Sequence, residues 1–227
     1  MFHRISYTLD DRAPRFPGNP ENRVRPVLSI AEGHACNAAE VSLFTHNGTH
    51  VDLPNHYHAA GRRVADYDVR ELVFHDPILI QLEVGERQAI AAASLEPFRS
   101  RLVGKDLLLL RTGFGSKRQT PAYLNNPHLT EDAARFLRSL PALRAIGLDC
   151  LSITNSAMQA LGDQVHRILL DEAPDGKPVV IIEDLDLRDA DRVARFRRVF
   201  VVPLFVEGVD GMPCTVFGED GTARIST

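Results

Sequence analysis

The sequence has no tryptophan and only three cysteines, Cys36, Cys150 and Cys214. An odd, widely spaced set without a Cys-x-x-Cys pair excludes a disulfide framework and a thiolate zinc knuckle, and it fits a reducing compartment. No apolar run reaches the roughly 18 residues that a membrane span needs, so no membrane partner is expected. The N-terminal Met1-Phe2-His3-Arg4-Ile5-Ser6 is followed by charged Asp10, Asp11 and Arg12 and lacks the apolar centre of a secretory signal, which makes the cytoplasm the expected location. A strong charge of one sign is missing too. Lysine and arginine total 26 against 30 acidic residues, a formal charge of −4, so nucleic acid is not an expected partner. The arginine-rich run from Arg188 to Arg198 also holds Asp189 and Asp191, with Val193 and Phe196 interleaved, which is the pattern of a solvated element face.

What remains is an ordinary globular composition, 44% hydrophobic over 227 residues, enough for a sizeable core in a single domain spanning 1–227. Residues 1–25 are expected to form an irregular arm, because Pro14, Pro17, Gly18 and Pro20 interrupt it. Val41 to Thr45 is expected to be a strand running directly into a histidine-rich segment. Further strands are expected over Ile78–Val84, Leu107–Leu110, Ala145–Asp149, Val179–Ile182 and Val199–Val206, the second of them apolar on both faces and therefore buried. Thr130 is placed to cap a helix through Leu137, closed by Pro141, and a second helix is expected over Asp163–Leu170. An Asp175-Gly176 turn would precede the Val179 strand. The sum is a mixed α/β protein.

The chemistry concentrates between His46 and His56, where His46, His50, Asp52 and His56 are punctuated by Gly48 and Pro54. A helix carrying Pro54 would break, so these side chains do not sit on a helical repeat. His50 and Asp52 are two apart, and in extended backbone both project from one face and reach one ion. Gly48 lets the chain bend so that His46 supplies a third ligand. Three protein ligands leave open positions on a divalent ion, where bound water falls toward a pKa of about 7. Beyond Pro54, His56 is either a general acid or base for that water or a fourth ligand. His3, His34, His75 and His128 are expected to be packed or surface residues, and His58 a surface or supporting one.

The segment HNGTHVDLPNH closely resembles the HxGTHxDxPxH signature of the cyclase family of metal-dependent hydrolases, which includes bacterial kynurenine formamidases and isatin hydrolases. The likeness continues through Phe16-Pro17-Gly18-Asn19-Pro20, Leu110-Arg111-Thr112-Gly113, Ala145-Ile146-Gly147-Leu148-Asp149, His166, Ile182-Glu183-Asp184-Leu185 and Val209-Asp210-Gly211-Met212-Pro213. The resemblance implies a mixed, swivelling β/β/α-type fold and a homodimer or larger assembly. It also implies that His46, His50 and Asp52 hold one ion, that Asp52, His166 and Glu183 hold a second where the site is binuclear, and that His56 is the catalytic histidine. Glu183 and its neighbour Asp184 point to opposite sides by strand alternation, so a shift of one position would exchange which of the two faces the metal. The implied activity is hydrolysis of a non-peptide C–N bond in a small-molecule amide: an arylformamide such as N-formylkynurenine, or a cyclic amide such as isatin.

Zinc suits imidazoles with carboxylates, and manganese is also compatible. Arg111 is expected to be an ion-pair or loop-ordering residue. Phe2, Phe16, Phe114 and Tyr123 are candidates for an aromatic substrate pocket. Two other readings are a non-haem iron oxygenase using His50, Asp52 and His166, and a non-catalytic metal-binding member of the family.

Overall fold

The computed structural model describes residues 1–173 and 177–221. Its strands are β1 Phe2–Arg4, β2 Arg23–Leu28, β3 Ala38–Ser42, β4 His50–Asp52, β5 Val73–Phe74, β6 Pro77–Gln81, β7 Ala89–Ile90, β8 Leu107–Arg111, β9 His128–Leu129, β10 Ala145–Leu148, β11 Val180–Glu183, β12 Phe196–Pro203 and β13 Gly211–Asp220. The α-helices are α1 Ala92–Leu95, α2 Arg99–Leu102, α3 Glu131–Arg138, α4 Gln159–Leu170 and α5 Ala190–Val193. The expected turn at Asp175-Gly176 lies outside the described residues.

One nine-stranded sheet in the order β5-β12-β13-β4-β11-β10-β8-β6, with β1 also on β13, organises the chain. It has two halves. Strands β6, β8, β10 and β11 run parallel, whereas β11, β4, β13, β12 and β5 pair antiparallel. Strand β4 joins the halves, and its two partners set Glu183 opposite His50 and Gly211 opposite Asp52. A change of strand direction of this kind leaves room for a site at the strand ends.

Alternation along each strand explains the layering. Leu108, Leu110, Ile146 and Ile181 point to the face covered by Phe136, Leu137, Val165 and Leu169 of α3 and α4. Leu107, Leu109, Ala145, Val180 and Ile182 point to the other, toward Val51, Phe74, Val199 and Val216. The Leu107–Leu110 run is thus buried on both faces, as expected, and each leucine contributes about 1.5–3 kcal/mol of burial.

Several local expectations are corrected. The strand expected to enter the histidine segment stops at Ser42, because β3 pairs only with β2 in a separate two-stranded hairpin. His50 and Asp52 instead lie within β4, in the middle of the main sheet. The arm is shorter than 1–25: Phe2–Arg4 pairs with Phe217–Glu219, Ile5 is buried, and β2 begins at Arg23. Strand β6 ends at Gln81 rather than Val84 because its partner β8 ends at Arg111. Strand β12 ends at Pro203, which leaves Leu204, Phe205 and Val206 exposed. Thr130 precedes α3 but makes no capping bond; its hydroxyl turns to the Asp132 carboxylate and the Ile90 carbonyl. Helix α4 starts at Gln159, ahead of Asp163, after a 3-10 turn over Ser156–Met158 whose Ala157 amide donates to the Asn155 side chain.

Candidate functional site

The left-handed bend at Gly48, φ 67°, turns the chain after His46 so that its ring meets the β4 side chains. A Cβ at Gly48 would also lie 2.7 Å from Leu9 Cδ1. Alternation then sends His50 and Asp52 to one face and Val51 to the apolar layer behind. Asp52 Oδ1 lies 2.7 Å from His46 Nδ1 and 3.2 Å from His50 Nε2. His166, one helical turn after Gly162 on α4, brings Nε2 to 3.7 Å from Asp52 Oδ2 and 3.9 Å from Glu183 Oε1. Glu183 Oε2 stands 3.4 Å from His50 Nε2, and its Oε1 accepts from the Ile153 amide at 2.6 Å and the Ser152 hydroxyl at 3.0 Å.

The fold therefore brings His46, His50, Asp52, His166 and Glu183 into one cluster, with Asp52 common to its two sides. Asp184 turns away. Its φ of 54° breaks simple strand alternation, and its wholly buried carboxylate is gripped by Arg118 and by the Tyr123 hydroxyl at 2.7 Å. The Asp184 carbonyl accepts from Thr49, which ties the His46–His50 loop to the end of β11.

The donor set fits a divalent metal ion, on two grounds. First, His50 Nδ1–H donates to the Gly48 carbonyl and His166 Nδ1–H to the Gly162 carbonyl, each at 2.8 Å, which leaves both Nε2 lone pairs turned to the carboxylates. Second, the cluster holds more negative charge than it can bury alone. Burial and then the neighbouring Asp52 push the Glu183 carboxyl up to about 7. Burial works against a charged His46, yet hydrogen bonds and charge from Asp210 and Asp52 push it up to about 10. Burial pulls His166 down to about 4, which keeps it neutral and able to ligate. Protons on His46 and Glu183 do here what a cation would do better. Two overlapping donor groups, His46 with Asp52 and His56, and His50 with Asp52 and Glu183, each lie within 4.8 Å internally.

His56 follows Pro54 in a 3-10 turn and stacks on His46, ring centroids 4.0 Å apart. Its Nδ1–H donates to Asp210 Oδ2 at 2.6 Å. Above the cluster opens a cavity of about 230 Å³ lined by Phe16, Phe44, Tyr57, Leu151, Thr154 and Asp163, among others. Of the four aromatic candidates only Phe16 lines it: Phe114 and Tyr123 are core, and Phe2 is exposed on the far strand. Phe44 and Tyr57 were missed, although each flanks the histidine segment. Tyr57 stacks on His166 at 4.7 Å and donates to Asp163 at 3.0 Å. Asp210 carried only a turn signal. Arg111 donates to the Leu187 carbonyl, a loop contact, and His58 sits on the surface against the Arg167 carbonyl.

Fold and site together define a mixed α/β protein with a buried imidazole–carboxylate centre suited to a divalent metal. The chain belongs to the cyclase family: the family model described as "Putative cyclase" matches residues 3–155. Kynurenine formamidases of Bacillus cereus and Bacillus anthracis are each 31% identical to it over 198 residues, covering 82% of this chain and 91% of theirs. Among solved structures, an isatin hydrolase bound to the product analogue thioisatinate superposes with a TM-score of 0.79 at 16% identity, over 95% of this chain and 90% of that one. Isatin hydrolase A from Ralstonia solanacearum gives 0.80 at 18%, over 96% and 90%. These likenesses establish the mixed α/β fold.

Proposed function

We propose that the protein is a metal-dependent amidohydrolase that cleaves a non-peptide C–N bond in an arylformamide such as N-formylkynurenine or a cyclic amide such as isatin. The observation that carries this reading is Asp52, whose two oxygens face different donors: His46 and His50 on one side, His166 on the other, with Glu183 beside them. His46, His50 and Asp52 hold one ion, and Asp52, His166 and Glu183 a second; zinc is the better match to this donor set, with manganese compatible. Such an ion supplies Lewis-acid polarisation of the amide carbonyl and acidifies water.

The chain's own residues do the rest. His56, held at Nδ1, offers Nε2 to the cavity, takes the proton of the attacking water as the new C–O bond forms, and delivers it to the departing nitrogen as the C–N bond breaks. Phe16, Phe44 and Tyr57 give an aromatic amide an apolar wall and keep bulk water off the reacting carbon. A non-haem iron reading built on His50, Asp52 and His166 leaves His46 and Glu183 unused inside the same cluster. Relatives named as kynurenine formamidases also favour hydrolysis.

We also read residues 1–227 as one domain, since one sheet carries both apolar layers. A homodimer or larger assembly is supported by the β2–β3 hairpin, where Val24, Val27 and Val41 are exposed and only two strands pair; such a hairpin is marginal without cover. Three free cysteines support a cytoplasmic setting, and no helix among the described residues is long and apolar enough to cross a membrane.

Elemental analysis of protein purified without chelator, followed by assays on N-formylkynurenine, isatin and simple lactams, tests the function. His50→Ala should lose metal and activity together, whereas His56→Ala should keep metal and lose rate. Full turnover in the His56 variant would remove that residue from the mechanism.

A further inference from the structure

The imidazoles that converge on Asp52 are all held from behind, and the holders differ in kind. His50 and His166 each lean on a backbone carbonyl. His46 alone leans on a carboxylate: its Nε2 lies 3.1 Å from Asp210 Oδ2, the same oxygen that accepts His56 Nδ1–H at 2.6 Å.

We propose that Asp210 is a positioning residue shared by His46 and His56, one carboxylate oxygen fixing the orientation of a metal-ligand ring and of the proton-carrying ring together. The inference rests on the roles assigned to those two histidines above. A backbone carbonyl would serve one ring as well. A charged oxygen accepts from two donors at once, and it stabilises the imidazolium that His56 becomes after taking a proton. With Nδ1–H committed to Asp210, the lone pair of His56 is left on Nε2, the other edge of a ring that lines the cavity.

The support behind Asp210 is rigid. Its carbonyl accepts from the Leu53 amide at 3.1 Å, the preceding Val209 carbonyl accepts from Val64 at 3.0 Å, and the following Gly211 pairs with Asp52 across the β4–β13 ladder. Gly211 also lets this backbone come close to the ring it serves, since a Cβ there would sit 2.6 Å from His46 Cε1. The two rings lie nearly parallel, 26° between planes at 4.0 Å. One carboxylate oxygen bonded to both edges holds the stacked pair in that arrangement. Asp210 thus reaches the site from the far end of the chain, 154 residues after His56.

The test uses Asp210→Asn and Asp210→Ser in wild-type and His56→Ala backgrounds. Long-range proton–nitrogen NMR of the metal-stripped protein reads the imidazole tautomers, competition with a chelator reads zinc affinity, and steady-state kinetics on N-formylkynurenine read kcat and KM. Asp210→Ser should lose the Nδ1–H tautomer of His56, Asp210→Asn, whose amide oxygen still accepts, should retain more of it, and both variants should weaken zinc binding. In the His56-containing background kcat should fall about 10- to 100-fold, with KM within about threefold. In the His56→Ala background they should lower kcat no further, while the loss of zinc affinity, which runs through His46, persists. An unchanged His56 tautomer in Asp210→Ser, or an equal kcat loss in both backgrounds, would overturn the proposal. If the wild-type enzyme turns over none of the amides, the functional reading fails instead, and the tautomer and zinc measurements still decide the role of Asp210.

Discussion

Arg118→Met strips the cation from a buried pair and leaves its anion behind. Asp184 has no exposed surface, and the Arg118 side chain is 7% exposed. The guanidinium makes three contacts with the carboxylate: Nε at 2.8 Å and 3.1 Å, and Nη2 at 2.7 Å. Burial raises the Asp184 carboxyl above its ordinary range, and Arg118 is the main force opposing that rise. Exposed pairs are worth about 0–1 kcal/mol, but removing one member of a buried pair costs about 3–5 kcal/mol because the remaining charge has no compensation. Methionine keeps most of the stem volume. The guanidinium over the Tyr7 ring, 3.9 Å from the centroid, is a smaller loss of about 0.5–2 kcal/mol. For a chain of this size 3–5 kcal/mol corresponds to a fall in Tm of about 6–20 °C. Urea and thermal unfolding in the presence of chelator measure it, free of any metal contribution. The decisive control is Arg118→Met with Asp184→Asn, in which the amide still accepts from Tyr123 and asparagine tolerates the left-handed backbone. That pair should recover at least half of the loss. A cost below about 1 kcal/mol for Arg118→Met alone, or a double variant no more stable than the single one, would refute the reasoning.

Three further outcomes follow from the same geometry. Gly211→Ala would set a methyl 2.6 Å from His46 Cε1 and 2.7 Å from the Val51 carbonyl, so it should destabilise the metal-free protein by about 1–3 kcal/mol and weaken ion binding; unchanged urea midpoint and affinity would contradict the close approach. Glu183→Gln keeps an acceptor for Ile153 and Ser152 but loses the anion, and elemental analysis should show the bound ion content falling toward one per chain. Chelation should lower stability by about 2.7 kcal/mol relative to protein held at a hundredfold excess of free metal over its Kd, and an unshifted Tm would mean that the cluster does not bind the ion in the folded state.

The His46–His56 segment could be read from the chain because its parts are neighbours: residue spacing and the bend at Gly48 are local geometry, and local geometry is written in consecutive residues. The apolar layers were legible for the same reason, since Leu107–Leu110 announces a strand buried on both faces. Element ends were less so. The ends of β6 and β12 depend on where a partner strand stops, and α4 begins earlier than its apolar pattern because Asn155 caps the preceding turn. The pocket aromatics were misjudged on similar grounds: Tyr123 and Phe16 look alike in sequence, and only packing sends one to Asp184 and the other to the cavity.

By itself, then, the sequence pointed to the class of chemistry, grouped His46, His50, Asp52 and His56 as candidate site residues, and indicated the mixed α/β character, all of which rest on short-range pattern. Tertiary structure decided how the side chains meet: Asp52 lies between His46 and His50 on one side and His166 on the other, Asp184 pairs with Arg118 and not with the cluster, and Asp210 backs both His46 and His56. Those relations depend on β4 lying between β11 and β13, a pairing between segments more than a hundred residues apart in the chain, and no local preference of either segment specifies its register.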